Sequence, residues 1–158
     1  MNVLIAYASK YGAVQRVSEK LYEKLDVPTT MVNLRVSPEP DLTSYDTVVI
    51  GGSIYAGRIL PSIPRFVDRH REELLERTVV LFVSCLYEGE KGLEQLREAY
   101  PGWLQVHAKG AHNVGGEIVL EKLRFLDRII IRNFAKVGEN INRIDSGAID
   151  RMVGDLRS

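Results

Sequence analysis

The sequence predicts an α/β fold, a parallel sheet with helices on both faces, built as one domain over residues 1–158. Two observations predict it. Short runs that are apolar on both faces, such as Val3-Leu4-Ile5-Ala6-Tyr7 and Thr78-Val79-Val80-Leu81-Phe82-Val83-Ser84, read as buried parallel strands. Segments of helical period alternate with them along the whole chain, which is the pattern of a sheet covered on both sides. With 158 residues, 45% of them hydrophobic, the chain can bury one ordinary core.

The elements follow in order. Residues 3–7 form the first strand, which ends in Ala8-Ser9-Lys10-Tyr11-Gly12. Val14, Val17, Leu21 and Leu25 then recur at helical spacing, with Gln15, Arg16, Glu19, Lys20 and Lys24 on the other side. Pro28 closes that helix, and residues 29–34 read as the second strand. Pro38 and Pro40 mark a loop before the third strand, residues 47–52, which glycine stops. Pro61 and Pro64 sit where a helix begins, with Phe66, Val67, Leu74 and Leu75 as its apolar side. Residues 78–84 are the fourth strand. A helix near 92–100 and a Pro101-Gly102 turn follow, then a polar-flecked fifth strand over 104–114. Helices at about 121–137 and 146–156 finish the chain.

Composition removes several function classes. Lysine plus arginine number 21 and aspartate plus glutamate number 21, which excludes a globally basic nucleic-acid binder and a strongly acidic chain. Charged residues at 27% argue against disorder. No run approaches the roughly 18 apolar residues that a spanning helix needs. Met1-Asn2-Val3 offers no basic region ahead of its apolar stretch, so the expected location is cytoplasmic. Cys85 is the single cysteine, against a disulfide framework or a cysteine metal cluster. His70, His107 and His112 are too scattered to read as metal ligands, and no metal site is expected.

In an open α/β sheet, ligands bind beyond the carboxyl ends of the strands, where strand order reverses. Three segments lie there: Ser9-Lys10-Tyr11-Gly12-Ala13-Val14, then Ser53-Ile54-Tyr55-Ala56-Gly57, then Ser84-Cys85-Leu86-Tyr87. The first joins a strand to a helix N-terminus, whose free amides and dipole favour an anion. Alone it reads equally as a capping turn. Each of the other two adds a tyrosine, and two aromatics beside an anion site suit a flat, conjugated ligand with a phosphate tail. A G-x-G-x-x-G dinucleotide fingerprint and a G-x-x-x-x-G-K-[ST] loop are both absent. Gly51-Gly52 stands where a phosphoacceptor domain would carry a carboxylate. Cys85 reads as a small hydrophobe at a strand end, and Trp103 as a packing anchor.

Arg124, Arg128, Arg132 and Lys136 recur every four residues as a basic stripe, with Leu123, Leu126, Ile130 and Phe134 as an apolar one. Five basic residues stand against two acidic ones over 121–136. This is the pattern of a core-facing helix with a solvated basic side. It is also that of a surface meeting an anionic membrane or an acidic redox partner.

Ser9 and Gly12 match the phosphate loop [ST]-x-[ST]-G-x-[ST] of the flavodoxin family, which this sequence resembles. Tyr11 and Val14 replace two of its hydroxyl residues, leaving Lys10 and the backbone amides to compensate. Gly51-Gly52-Ser53-Ile54-Tyr55-Ala56-Gly57 is similar to the G-[AG]-S-I-x-x-G of the menaquinone-dependent protoporphyrinogen dehydrogenase branch. Gly115-Gly116 and Leu123-Arg124-Phe125-Leu126-Asp127-Arg128 resemble that branch's element after the fifth strand. The resemblance implies a flavodoxin-like three-layer sandwich of five parallel strands in the order 2-1-3-4-5, with flavin mononucleotide (FMN) as cofactor. It implies that residues 9–14 hold the phosphate, while 53–57 and 84–87 line the two sides of the ring. It implies an oxidoreductase that passes electrons from an organic substrate through FMN to a redox partner protein or quinone; the Arg124–Lys136 stripe, separately, would bring the chain to the inner face of the membrane. Two alternatives stand beside it: an electron carrier without its own substrate, and a scaffold that has lost its flavin. No side chain is assigned a catalytic role, because in a flavoprotein the flavin does the redox chemistry.

Overall fold

The structure is a computed structural model that describes residues 1–135 and 139–158; for Leu126, Ile131, Asn133, Phe134 and Ala135 it describes the backbone alone. Five parallel strands form the sheet: β1 (Val3–Ala8), β2 (Thr29–Asn33), β3 (Thr47–Tyr55), β5 (Thr78–Ser84) and β6 (Gly110–Asn113). Their spatial order is β2-β1-β3-β5-β6, the predicted 2-1-3-4-5. All six residues of β1 are buried, as are six of the seven in β5, because both sheet faces are covered.

Two apolar layers result. α2 (Ser62–Arg69), α3 (Arg71–Leu75), α4 (Gly89–Ala99) and α5 (Gly102–His107) pack on one face through Ile63, Phe66, Leu74, Leu96 and Leu104. α1 (Ala13–Lys24) and α7 (Ser146–Arg157) cover the other through Val14, Val17, Leu21, Ile149 and Met152. The Asp145 side chain caps α7 by accepting from the Ala148 amide at 3.2 Å. Among the described residues, no helix is long and apolar enough to cross a membrane.

Two features pin the sheet centre. Gly51 on β3 is in register with Phe82 on β5, and the ring of Phe82 fills the space that a side chain at Gly51 would need. Tyr100, just past α4, is 3% exposed. Its hydroxyl sits 2.7 Å from the Phe82 carbonyl and 3.0 Å from the Ile50 carbonyl. With one proton it donates to one of them at a time, and burial pushes the phenol well above its ordinary range. Tyr100→Phe is therefore expected to lower unfolding stability by about 1–2 kcal/mol, as urea denaturation measures; an unchanged midpoint would show that the bond contributes nothing.

Several elements differ from the sequence expectation. The fifth strand is four residues long, not eleven, and 102–107 is α5. Leu104 and Val106 mimic strand alternation, yet Leu104 is buried and Val106 is 89% exposed. The third strand runs on to Tyr55, and a two-residue turn brings β4 (Arg58–Ile59) back antiparallel to it. That turn puts Ala56 at φ 49° and Gly57 at φ 78°, the left-handed pair of a tight hairpin. The helix expected from Pro61 breaks at His70 into α2 and α3, and Leu75 is exposed rather than apolar-side core. The helix expected over 121–137 is α6 (Phe125–Ala135), preceded by a 3-10 turn at Leu120–Lys122; residues 136 and 137 lie outside the described residues. β7 (Glu117–Ile118) and β8 (Ile141–Asn142) pair antiparallel at the base of this segment. Two further bonds close the base: the Arg143 amide donates to the Gly116 carbonyl at 2.8 Å, and the Asp145 amide to the Val114 carbonyl at 2.8 Å.

Candidate functional site

β1, β3 and β5 end side by side, and their C-terminal segments converge on one narrow cleft of about 860 Å³, open mouth included. Lys10, Tyr11 and Ala13 line it from the first segment, Ser53 to Gly57 from the second, and Ser84, Cys85, Leu86 and Tyr87 from the third. The remaining three predicted residues stand behind the wall. Ser9 is buried, and its hydroxyl accepts from the Gly12 amide at 3.1 Å. Gly12 takes φ 93° at the start of α1, a left-handed turn that favours glycine. Val14 is fully buried in the core under α1 and does not line the cleft.

The cleft has a roof that the sequence reading did not foresee. Gly116, Glu117, Ile118, Val119, Leu123 and Ile130 complete its lining, contributed by β7, the following turn and α6. Ile118 and Leu123 pack with Tyr11, Leu86, Leu120 and Ile141 into a small apolar cluster of their own. The roof also carries charge inward. Asp127 on α6 is 7% exposed and lies 3.3 Å from the Lys10 ammonium. It also accepts a hydrogen bond from the Tyr55 hydroxyl. Lys10 in turn sits 3.9 Å from the Tyr55 ring centre. The Tyr11 hydroxyl at this junction is buried without a hydrogen-bond partner, whereas Asp127 Oδ2 meets the Lys10 ammonium as an ion pair.

On the third segment, burial pushes the Cys85 thiol up, so it stays protonated and behaves as the small hydrophobe expected. Its amide donates to the Gly115 carbonyl at 3.0 Å, and the Ser84 hydroxyl to the same carbonyl at 2.8 Å. The Lys91 ammonium stands 3.9 Å from the Tyr87 ring centre. His112 pairs with Asp155 of α7 at 2.7 Å and does not line the cleft. Trp103 packs against the α2–α5 core, with the Arg71 guanidinium 5.1 Å from its ring. Among the described residues, no group of three or more histidines, cysteines or acids is placed to hold a metal.

The expected basic stripe is divided. Arg124 and Arg132 are exposed, Arg128 donates to the Leu120 carbonyl at 2.9 Å, and Lys136 lies outside the described residues. Of the apolar stripe, Leu123 and Ile130 reach the cleft, while the side chains of Leu126 and Phe134 are not described. Phe125 and Ile129, 76% and 43% exposed, put apolar surface beside the arginines. In the sequence Asp127 is one of two acids in a basic helix and part of the Leu123–Arg128 likeness, with no site role assigned to it. Nothing in the local sequence announces a partner 117 residues away.

A parallel sheet in the order 2-1-3-4-5, with its cleft at the carboxyl edge beside the reversal point, is a flavodoxin-like fold. The chain belongs to the flavodoxin domain family, whose model matches residues 4–144. Solved structures agree. Two-electron reduced flavodoxin from Megasphaera elsdenii is 16% identical at a TM-score of 0.56, over 85% of this chain and 99% of that one. The flavodoxin, WrbA-like protein from Agrobacterium tumefaciens is 16% identical at 0.52, over 85% and 95%. Rubredoxin oxygen:oxidoreductase from Desulfovibrio gigas is 14% identical at 0.55; it covers 99% of this chain, which spans 37% of that larger one. At such identities the likeness is one of fold. No curated protein matches the sequence.

Proposed function

We propose that the chain, as one domain, binds FMN in this cleft and oxidises an organic substrate there. The finer assignment is to a protoporphyrinogen dehydrogenase type of activity, with electrons passing on to a redox partner protein or quinone. The observation that carries the cofactor reading is the convergence of the ends of β1, β3 and β5 on one cleft that two tyrosines enter. The residues present fit the cofactor. The left-handed turn at Gly12 opens the backbone toward an anion at the start of α1, and Lys10 supplies a cation beside it. The apolar roof supports an enzyme, since a carrier needs no wall for a substrate.

When bound, flavin supplies one- or two-electron chemistry. The protein's own part is to bind, orient and exclude water. Loop 9–14 takes the phosphate, Tyr55 and Tyr87 flank the ring, and the Asp127 carboxylate fixes the Tyr55 phenol. Leu86, Ile118, Val119 and Leu123 keep the cleft apolar. Cys85, held protonated, adds no competing nucleophile. A carrier reading has its own support, because Lys122, Arg124 and Arg132 of the segment that roofs the cleft are exposed and offer a surface to an acidic partner. Phe125 and Ile129 beside those arginines suit contact with an anionic membrane.

The test is mass spectrometry of the cofactor bound to purified protein, then anaerobic reduction by porphyrinogens, quinols and nicotinamides with turnover scored. Turnover of a porphyrinogen supports the enzyme. Stoichiometric reduction without turnover favours the carrier, and a colourless protein that takes up no flavin sinks both. Tyr55→Ala and Tyr87→Ala are each expected to weaken FMN binding by about threefold to tenfold, the worth of one aromatic stacking contact. Unchanged affinity and potential in both variants would remove the tyrosines from the ring site.

A further inference from the structure

Two carboxylates of the roof hold the two cations that bracket the first loop. Asp127 lies against Lys10 at 3.3 Å, with side chains 10% and 24% exposed. Glu117 on β7 grips Arg16, in the first turns of α1, with both oxygens: Nε to Oε2 at 3.0 Å and Nη2 to Oε1 at 2.9 Å. The Arg16 guanidinium lies along the loop itself, since a Cβ on Gly12 would stand 3.0 Å from its Nη1. A third cation is turned to the backbone, where Arg35 Nη1 donates to the Ser9 carbonyl at 2.9 Å. The Lys10 ammonium reaches both oxygens of Asp127, donating to Oδ1 at 3.4 Å and lying 3.3 Å from Oδ2 as an ion pair.

A buried carboxylate is tolerable where a cation and hydrogen bonds hold it. Here the neutral bond comes from Tyr55 and the cation is Lys10. An incoming phosphate seeks the same ammonium, and two anions on one cation repel each other across a few ångströms of partly dry space. We propose that Asp127 and Glu117 are internal competitors of the cofactor's phosphate. They hold Lys10 and Arg16 while the loop is empty and yield them as the phosphate enters, so that the segment 117–130 is a strap that loosens on loading. The proposal rests on the FMN reading of the cleft. It makes the two acids specificity determinants: they lower affinity for flavin with a phosphate and leave flavin without one unaffected. By linkage, the phosphate must weaken the strap as much as the strap weakens the phosphate.

The experiment titrates apoprotein with FMN and with riboflavin, which lacks the phosphate, for the wild type, Asp127→Asn, Glu117→Gln and the double variant. The asparagine amide oxygen can still accept from Tyr55, so Asp127→Asn removes charge and little else. Each single variant is expected to bind FMN about tenfold more tightly, with riboflavin changed less than about twofold. Tyr55→Phe keeps the charge and is expected to leave the ratio of FMN to riboflavin affinity unchanged. In the wild type, hydrogen exchange over 117–130 is expected to be faster with FMN than with riboflavin. Weaker or equal FMN binding in both carboxamide variants overturns the proposal, as does exchange equal or slower with FMN. Should Asp127→Asn fail to fold, Glu117→Gln and the exchange comparison decide it. A wild type that binds riboflavin and not FMN, with the variants regaining FMN, supports the proposal. Protein that binds no flavin in any form overturns it together with the cofactor reading.

Discussion

Gly51→Ala is expected to destabilise the protein by about 3 kcal/mol or more, the upper range for overpacking a filled core. The added methyl would fall inside the ring of Phe82, which is fully buried beside it on the neighbouring strand. Neither strand can shift to make room. β3 pairs in parallel with β1 through six residues and with β5 through seven, and each face carries a helical layer. For a chain of this length the loss corresponds to a melting temperature lower by roughly ten degrees. Phe82→Leu alone leaves a void and also costs stability. In the double variant the methyl and the shorter side chain share that space, so the combined loss is expected to be smaller than the sum. Chemical denaturation of the four proteins checks both statements; a Gly51→Ala midpoint within error of the wild type would show that the ring yields freely.

Gly115→Ala is expected to act on the cleft as well as on stability. Gly115 has φ 76°, a left-handed conformation that alanine adopts only with strain of order 1–2 kcal/mol. A Cβ there would overlap the carbonyl oxygen of Arg143, and backbone gives way less easily than a side chain. The residue's own carbonyl receives both the Ser84 hydroxyl and the Cys85 amide, so any shift moves the third cleft segment. The expected result is a loss of about 3 kcal/mol, with flavin affinity reduced at least about tenfold. Thermal melts with and without FMN separate the two effects. Full stability with intact flavin binding would show that the turn tolerates rearrangement.

The sheet was legible because burial on both faces writes itself into sequence. A strand such as residues 79–83 must be apolar throughout, and runs like that have few other readings. The edge strand β6 was misplaced because this cue fails there. Gly110-Ala111-His112-Asn113 pairs on one side only and is partly open, so it need not be apolar. The apolar-looking stretch just before it belongs to a helix that buries Leu104 and exposes Val106. Fourteen of the fifteen predicted site residues sit at the cleft or in its supporting turn; Val14 belongs to the core. Strand ends converge by topology, which strand order reveals. The roof was not legible, because β7 and β8 are two residues each and carry no period. Asp127 and Glu117 find Lys10 and Arg16 across 117 and 101 residues, and no spacing rule reaches that far.

The roof leaves the sheet and returns to it at almost one point. Gly116 and Arg143 are hydrogen-bonded, and Val114 and Asp145 are as well, so everything between them is an excursion whose ends are already joined. An excursion of that kind is interchangeable. Lengthening it costs little, about 0.6 kcal/mol for each doubling of a flexible loop, and no strand has to move to accommodate a new one. The cleft floor and the cleft ceiling are therefore free to change at different rates. A lineage, or an engineer, can redraw what the cleft admits by rewriting the ceiling alone.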